Sequence, residues 1–336
     1  MYQVLESILP HLGSDNSFGP WFLFGISVII GLYLLTKGGD WLSDHCSNLA
    51  CSLGVPSVII GLTIVSIATS APELFTSIAA LRHNSNGMII GNVIGSNIAN
   101  ISLILGISLV IKPIETKGVI PRSQIFLLFG LTVFFSLALI IQGNHGIGWA
   151  IGSILLIYIF AYLLFITLGA IRSSTVNHET NEDSHSNPVI LSLAMIIFAT
   201  IALWAGSDAL VFGAKNFALS AGIPQELIGF TLIALGTSLP ELAASLALLK
   251  KGESGMLLGN VLGSNMFNIG LVGGVAGVLG PVLSNTPYPW IDYLFMILVT
   301  ALFCFWIRGR KIEKKEGYVF LTLYVIATST TWTLNG

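Results

Sequence analysis

Shifted by 168 positions, this chain lies on itself. Between residues 56–113 and 224–281, 26 of 58 positions are identical and no gap is needed. Gly61 falls on Gly229, Thr63 on Thr231, Pro72 on Pro240, Glu73 on Glu241, Gly91 on Gly259, Ser96 on Ser264, Asn100 on Asn268 and Pro113 on Pro281. Chance similarity between apolar stretches would not preserve so many Gly, Pro, Asn, Ser and Glu positions. The match extends upstream, with Asp40 on Asp208, Asn48 on Asn216 and Gly54 on Gly222. The fold must therefore be one half-design used twice.

The solvent for that design follows from composition. Only 9% of residues are charged and 54% are hydrophobic, with mean hydropathy +0.86, whereas a soluble domain carries roughly 25% charged residues. The chain belongs in lipid. Apolar runs at about 20–43, 56–82, 87–111, 121–141, 147–171, 188–214, 224–249, 254–280, 288–307 and 316–334 are each of membrane-crossing length. Five runs separate equivalent points of the repeat. Five is odd, so the second half enters the membrane from the opposite side. The expectation is an all-α polytopic membrane protein of ten transmembrane helices, arranged as two inverted-topology five-helix repeats. Residues 1–19 read as an N-terminal surface segment, with one interfacial turn near Val4 to Leu9. Residues 20–172 read as the first repeat, the polar stretch 173–187 as a linker, and 188–336 as the second repeat.

Of the 14 Lys and Arg residues, 12 fall in the odd-numbered connections, and the termini hold none. Cationic residues favour the cytoplasmic side. The expected location is the plasma (inner) membrane, multi-pass, with both termini extracytoplasmic. A net charge of −2 argues against a nucleic-acid partner. Cys46, Cys51 and Cys304 match no metal-binding spacing, and none of the six histidines pairs convincingly with a Ser or Cys nucleophile. No catalytic residue and no cofactor is expected, and one chain is expected to suffice as the working unit.

The chemistry is concentrated in Thr69-Ser70-Ala71-Pro72-Glu73 and its twin Thr237-Ser238-Leu239-Pro240-Glu241. A proline inside a helix lacks an N–H and clashes with the carbonyl one turn back. Helices 2 and 7 are therefore expected to be broken at the midplane, freeing carbonyls near Ser66–Thr69 and Ala234–Thr237. In lipid such groups need a partner or must line a cavity. An ionised side chain at the bilayer centre costs at least ~2.5–3.5 kcal/mol, yet two glutamates stand there with no Lys or Arg at equivalent depth. They must hold a proton or a cation. Hard cations such as Ca2+ take about 6–8 oxygens, and two carboxylates with carbonyls and hydroxyls form that kind of shell.

The third and eighth runs carry Gly91-Asn92-Val93-Ile94-Gly95-Ser96-Asn97 and Gly259-Asn260-Val261-Leu262-Gly263-Ser264-Asn265. Glycines four apart let helix backbones approach closely. Ser96 with Asn100, and Ser264 with Asn268, share one helix face and read as ligands. Asn97 and Asn265 lie off that face and read as hydrogen-bonded helix glue. Asp40 and Asp208 sit near the expected ends of their spans and read as caps.

At these residues the chain resembles the cation/Ca2+ exchanger superfamily, in its prokaryotic-type Na+/Ca2+ exchanger branch. The two motifs of that family, G-[TS]-S-x-P-E and G-N-x-x-G-S-N, stand here as Ala68 to Glu73 with Gly91 to Asn97, and Gly236 to Glu241 with Gly259 to Asn265. The resemblance covers essentially the whole chain. It implies a central Ca2+ site of Glu73 and Glu241 with the carbonyls of Thr69 and Thr237. It implies flanking Na+ sites using Ser70, Ser96, Ser238 and Ser264, with carbonyls at Ser66 and Ala234. Asn100 and Asn268 complete the polar layer. It also implies alternating access, with the first and sixth helices sliding past the core, and Na+ and Ca2+ as transported ions. Three positions depart from the pattern. Ala68 replaces a glycine, Ser66 stands where alanine is common, and Asn268 stands where some relatives carry Asp, which argues against K+ coupling.

Other readings remain in view: a H+/Ca2+ antiporter or one for another divalent cation, a channel, and an intramembrane hydrolase built on the adjacent Thr, Ser and Glu. Saturable flux that needs a counter-ion on the far side separates a carrier from a channel.

Overall fold

The computed structural model describes residues 18–82, 86–142, 147–177, 189–220, 234–280, 290–309 and 311–335. The N-terminal turn expected near Val4 to Leu9 lies outside them. Helix α1 is Phe18–Leu53, and α2 runs from Ser57–Ile60 through the wider π-wound turns Gly61–Val65 to Ser66–Arg82. Helix α3 is likewise composite: Asn86–Ile98, π-wound Ala99–Leu105, and Gly106–Ile111. Then follow α4 (Arg122–Gln142), α5 (Trp149–Asn177) and α6 (Val189–Ser220). A turn of helix, Ala234–Thr237, leads into α7 (Leu239–Lys251). Helix α8 joins Ser254–Phe267, π-wound Asn268–Gly273 and Gly274–Leu279; α9 is Trp290–Trp306 and α10 is Lys314–Asn335. Two strands, β1 (Ile114–Glu115) and β2 (Lys311–Ile312), pair antiparallel.

Among the described residues seven helices are long and apolar enough to cross a membrane: α1 to α6 and α8. Helix α9 is apolar but shorter. In α10, five threonine hydroxyls (322, 328, 330, 331 and 333) donate to backbone carbonyls three or four residues earlier, which meets their bonding need without water.

Burial sorts the helices into centre and periphery. In α8, 83% of the most apolar window is buried, against 22% in α1. Helices α1 and α6 form an outer antiparallel pair. Gly31 abuts Gly206 and Leu210, Gly38 abuts Ala199 and Leu203, and Gly213 abuts Phe24 and Val28. Trp21 stacks edge-on against Phe217 at 5.0 Å, and Trp41 meets Phe198 at 5.3 Å. The contact of Gly31 with Gly206 and that of Gly38 with Ala199 are images of one another under the 168-residue shift. The flanks are related in the same way, with an offset of three residues on one side: α5 packs at Gly152 onto Gly274 and Gly277 of α8, while α10 packs at Gly317 onto Gly106 and Leu109 of α3.

The structure corrects several expectations. The break expected at Pro72 is absent: Ser66–Arg82 is continuous helix through the proline. One missing N–H does not end a helix whose other turns are bonded, and the irregularity falls upstream, in Gly61–Val65. At α7 the interruption is real, at Ser238 with φ −88° and ψ 1°. Helix α1 runs ten residues past the apolar stretch because Cys46, Leu49 and Ala50 are buried at helical spacing. Asp40 is therefore mid-helix, not a cap. Gly54, at φ 62°, ends that helix: Val55 N donates to Ala50 O and Gly54 N to Cys51 O, both at 3.1 Å. Asp208 likewise lies inside α6. Helix α5 continues to Asn177, past Ser173 where the polar stretch begins.

Candidate functional site

The centre forms where α2 and α7 pack against α3 and α8. Glu73 and Glu241, each one residue after a proline, are each 1% exposed. Ser70, one turn before Glu73 on α2, donates its Oγ–H to Oε1 of Glu241 at 3.2 Å. That bond ties the helical turn carrying Glu73 to the carboxylate of Glu241. Among the described residues, both oxygens of Glu73 and Oε2 of Glu241 have no hydrogen-bond partner. The ion pairs of Lys251 with Asp44, and of Lys315 with Glu313 and Glu316, lie at other places in the fold. Burying an unpaired charge costs several kcal/mol per ion, so this pocket of negative charge calls for a proton or a cation.

A scaffold of asparagines holds the helices around it, and it repeats with the sequence. Asn92 Nδ2 donates to Ser77 Oγ at 3.0 Å, and Asn260 Nδ2 to Ser245 Oγ at 3.2 Å. Thr237 Oγ1 donates to Asn92 Oδ1 at 3.3 Å, and Thr69 Oγ1 to Asn260 Oδ1 at 3.3 Å. Ser96 Oγ approaches Asn92 Oδ1 at 3.5 Å, and Ser264 Oγ approaches Asn260 Oδ1 at 3.4 Å. All three pairs obey the 168-residue shift. Each asparagine thus links its own helix to the helix before it in the same repeat, through a serine, and to a threonine of the other repeat. Asn92 also donates to the carbonyl of Glu73 at 3.3 Å, fixing the backbone beside the acid.

Sequence reasoning assigned no role to Asn92, Asn260, Ser77 or Ser245. The signal was present: all four are identical across the repeat and polar within apolar runs. Their partners lie on other helices, which one helix face cannot reveal.

The remaining expected residues divide. Asn100 and Asn268 are buried in the π-wound stretches, and neither polar atom of either side chain has a partner among the described residues. Ser238 Oγ is also buried and unpartnered among them. π-Bulges recur at functional sites, and these aim open amides into the core. The hydroxyls of Thr69 and Thr237 donate to asparagines, which fixes the backbone of each threonine beside the acids. Ser66 Oγ is engaged too, donating to Gly61 O at 2.6 Å and Asn260 O at 3.2 Å, which ties α2 to α8. Ala234 begins the turn before Ser238, and its side chain lies outside the described residues. Asn97 donates to Val93 O at 2.7 Å, as helix glue should. Asn265 does not: both of its polar atoms are buried without a partner among the described residues. A buried Asp292, accepting a hydrogen bond from Thr331, escaped the sequence reading altogether.

No group of three or more His, Cys, Asp or Glu converges among the described residues. A hard cation in this core would meet two carboxylates and otherwise neutral oxygens.

Replacing Asn260 with Leu tests the scaffold. It removes the Asn260 partner of Ser245, at about 1–3 kcal/mol for a buried group left unpaired, and leaves Thr69 and Ser264 with their weaker contact to each other at 3.4 Å. A clear drop in the thermal unfolding midpoint of the detergent-solubilised protein is expected. An unchanged midpoint would show that these bonds carry no stability.

A helical core with acids inside and apolar side chains outside defines a polytopic membrane transporter. The chain belongs to the sodium/calcium exchanger protein family, matching it over residues 23–168 and 191–333; the two matches begin 168 residues apart. An uncharacterized membrane protein, MJ0091, of Methanocaldococcus jannaschii is 37% identical over 300 residues, covering 89% of this chain and 95% of that one. Sodium/calcium exchanger MaX1 of Methanosarcina acetivorans is 32% identical over 338 residues, covering 89% and 95%. Among solved structures, the sodium-calcium exchanger NCX_Mj soaked with Na+ and Sr2+ superimposes with a TM-score of 0.78 at 34% identity, covering 92% of this chain and 98% of that one.

Proposed function

We propose that this protein is a secondary active antiporter that exchanges Na+ for Ca2+ by alternating access through one central site. The observation that carries the reading is the pair of buried carboxylates, Glu73 and Glu241, lacking any cationic partner among the described residues. One Ca2+ neutralises the pair. Sodium ions on neighbouring oxygens do the same together, so the two cargoes compete for one set of charges. A core holding neither keeps a large buried charge, which disfavours conversion while empty and makes exchange, not leak, the favoured process.

In this reading Ca2+ is held by Glu73, Glu241 and the carbonyls of Thr69 and Thr237. Na+ uses Ser70, Ser96, Ser238 and Ser264 with the carbonyls of Ser66 and Ala234, and Asn100 and Asn268 close the layer. Ten helices form two inverted halves, 20–172 and 188–336, joined by 173–187. One chain works alone in the plasma membrane with both termini outside. Supporting it are the repeat-related asparagine bonds, the matching contacts of α1 with α6, and the likeness to exchangers over both halves.

A second reading, H+/Ca2+ antiport, is favoured by the same bare carboxylate of Glu73, which a proton would satisfy as well as Na+. Uptake of radioactive Ca2+ into proteoliposomes separates the two. Accumulation is expected with an outward Na+ gradient and not with K+; accumulation driven only by a proton gradient would replace Na+ with H+ as the coupling ion.

A further inference from the structure

We infer that the connections joining α3 to α4 and α9 to α10 form one binding platform for the headgroup of an anionic membrane lipid. Eight of the 14 Lys and Arg residues, at 112, 117, 122, 308, 310, 311, 314 and 315, lie in these two connections or at the helix starts beside them, nearly 200 residues apart in sequence. The fold brings the two connections together. Strands β1 and β2 pair Ile114 with Ile312 and Glu115 with Lys311, and Thr116 Oγ1 donates to Gly309 O at 3.0 Å. Ile114, Ile120, Ile307 and Ile312 are buried beneath, so the platform has its own small core and holds its shape.

The charge on it is open. Lys112, Lys117, Arg122, Arg308, Lys311 and Lys314 are exposed. Glu313 and Glu316 face Lys315 at 3.7 and 3.8 Å and Glu115 stands opposite Lys311 across the strand pair, which leaves Lys112, Lys117, Arg122 and Lys314 without an acidic partner among the described residues. A free phosphate could satisfy such charge, but the surroundings select a lipid. Apolar side chains border the platform: Ile111 on α3, Phe126 on α4, Phe305 on α9 and Val319 on α10 are all exposed. Arg308 lies 5.8 Å from the centre of the Phe126 ring. Helix α9, with 17 residues, spans only about 25 Å, less than the roughly 30 Å hydrocarbon core. That shortness draws Arg308 and Lys311 toward the acyl boundary. Cations over an apolar wall fit a phosphate that carries acyl chains. Because α3 also carries Ser96 and Asn100, an occupied platform would brace a helix of the central site.

The test titrates the purified full-length chain with phosphatidylglycerol and with phosphatidylcholine, counting retained lipid by native mass spectrometry. Preferential retention of phosphatidylglycerol is expected. Lys311→Gln with Lys314→Gln should weaken it roughly 30-fold, and Arg at both positions should preserve it. Lys37→Gln with Lys250→Gln, exposed cations elsewhere, should leave it unchanged. If the Lys311/Lys314 double variant fails to fold, Lys112→Gln with Arg122→Gln takes its place. Equal retention of the two lipids, equal loss from the control pair, or displacement by inorganic phosphate at matched ionic strength would overturn the inference.

Discussion

Glu73→Gln and Glu241→Gln should each lower Na+-driven Ca2+ uptake at least ~100-fold. Glutamine keeps the shape and one carbonyl oxygen but removes a full charge from a site that holds two. Removing one partner of a buried pair of opposite charges, here a carboxylate from its bound Ca2+, costs about 3–5 kcal/mol, and every 1.4 kcal/mol is tenfold in affinity. The fold should survive: the oxygens of Glu73 meet no donor among the described residues, and a glutamine carbonyl at 241 can still accept from Ser70. A stability measurement separates this from misfolding. At 100 times its dissociation constant a bound ion adds about 2.7 kcal/mol of stability, so Ca2+ should raise the unfolding midpoint of the unmodified protein. Each glutamine variant should lose most of that response. Without added ions the variants should be as stable as the parent or more so, since an uncompensated buried charge is gone. Normal uptake by either variant would remove the two glutamates from the site.

Much of this architecture is legible in the order of residues, because lipid imposes simple rules. Apolar runs predict most helix positions to within a few residues, and the 168-residue repeat by itself pairs Glu73 with Glu241. What escapes depends on neighbours. The run rule stops α1 near residue 43, where Asp44, His45, Ser47 and Asn48 begin. The helix persists to Leu53 because packing on Cys46, Leu49 and Ala50 outweighs local polarity. Pro72 looks like a break because a single residue is judged alone; the continuous turns around it decide otherwise. The asparagine scaffold is invisible for the opposite reason. Each of its bonds joins residues 15 to 191 positions apart, apart from the one-turn links of Ser96 and Ser264. Strands β1 and β2 are two residues each, too short for any periodicity.

Gly259→Ala should destabilise the protein and disable transport, although it adds a single methyl group. A Cβ at Gly259 would sit 2.5 Å from Val58 O and 2.9 Å from Leu62 N. Both are backbone atoms of α2, so no rotamer change relieves the clash and the helices must separate. Overpacking typically costs about 1–3 kcal/mol, and a backbone-to-backbone contact belongs at the upper end. The displacement reaches the site directly: the next residue, Asn260, holds Thr69 on α2, Ser245 on α7 and Ser264 on its own helix. Gly130→Ala supplies the comparison. Gly130 has nothing within 4 Å of the added methyl, and alanine is the better helix former by about 1 kcal/mol, so its unfolding midpoint and uptake should match or exceed those of the parent. If Gly259→Ala behaves like Gly130→Ala, α2 and α8 do not meet at the separation described, and the convergence of Glu73 with Glu241 that depends on their contact would have to be abandoned.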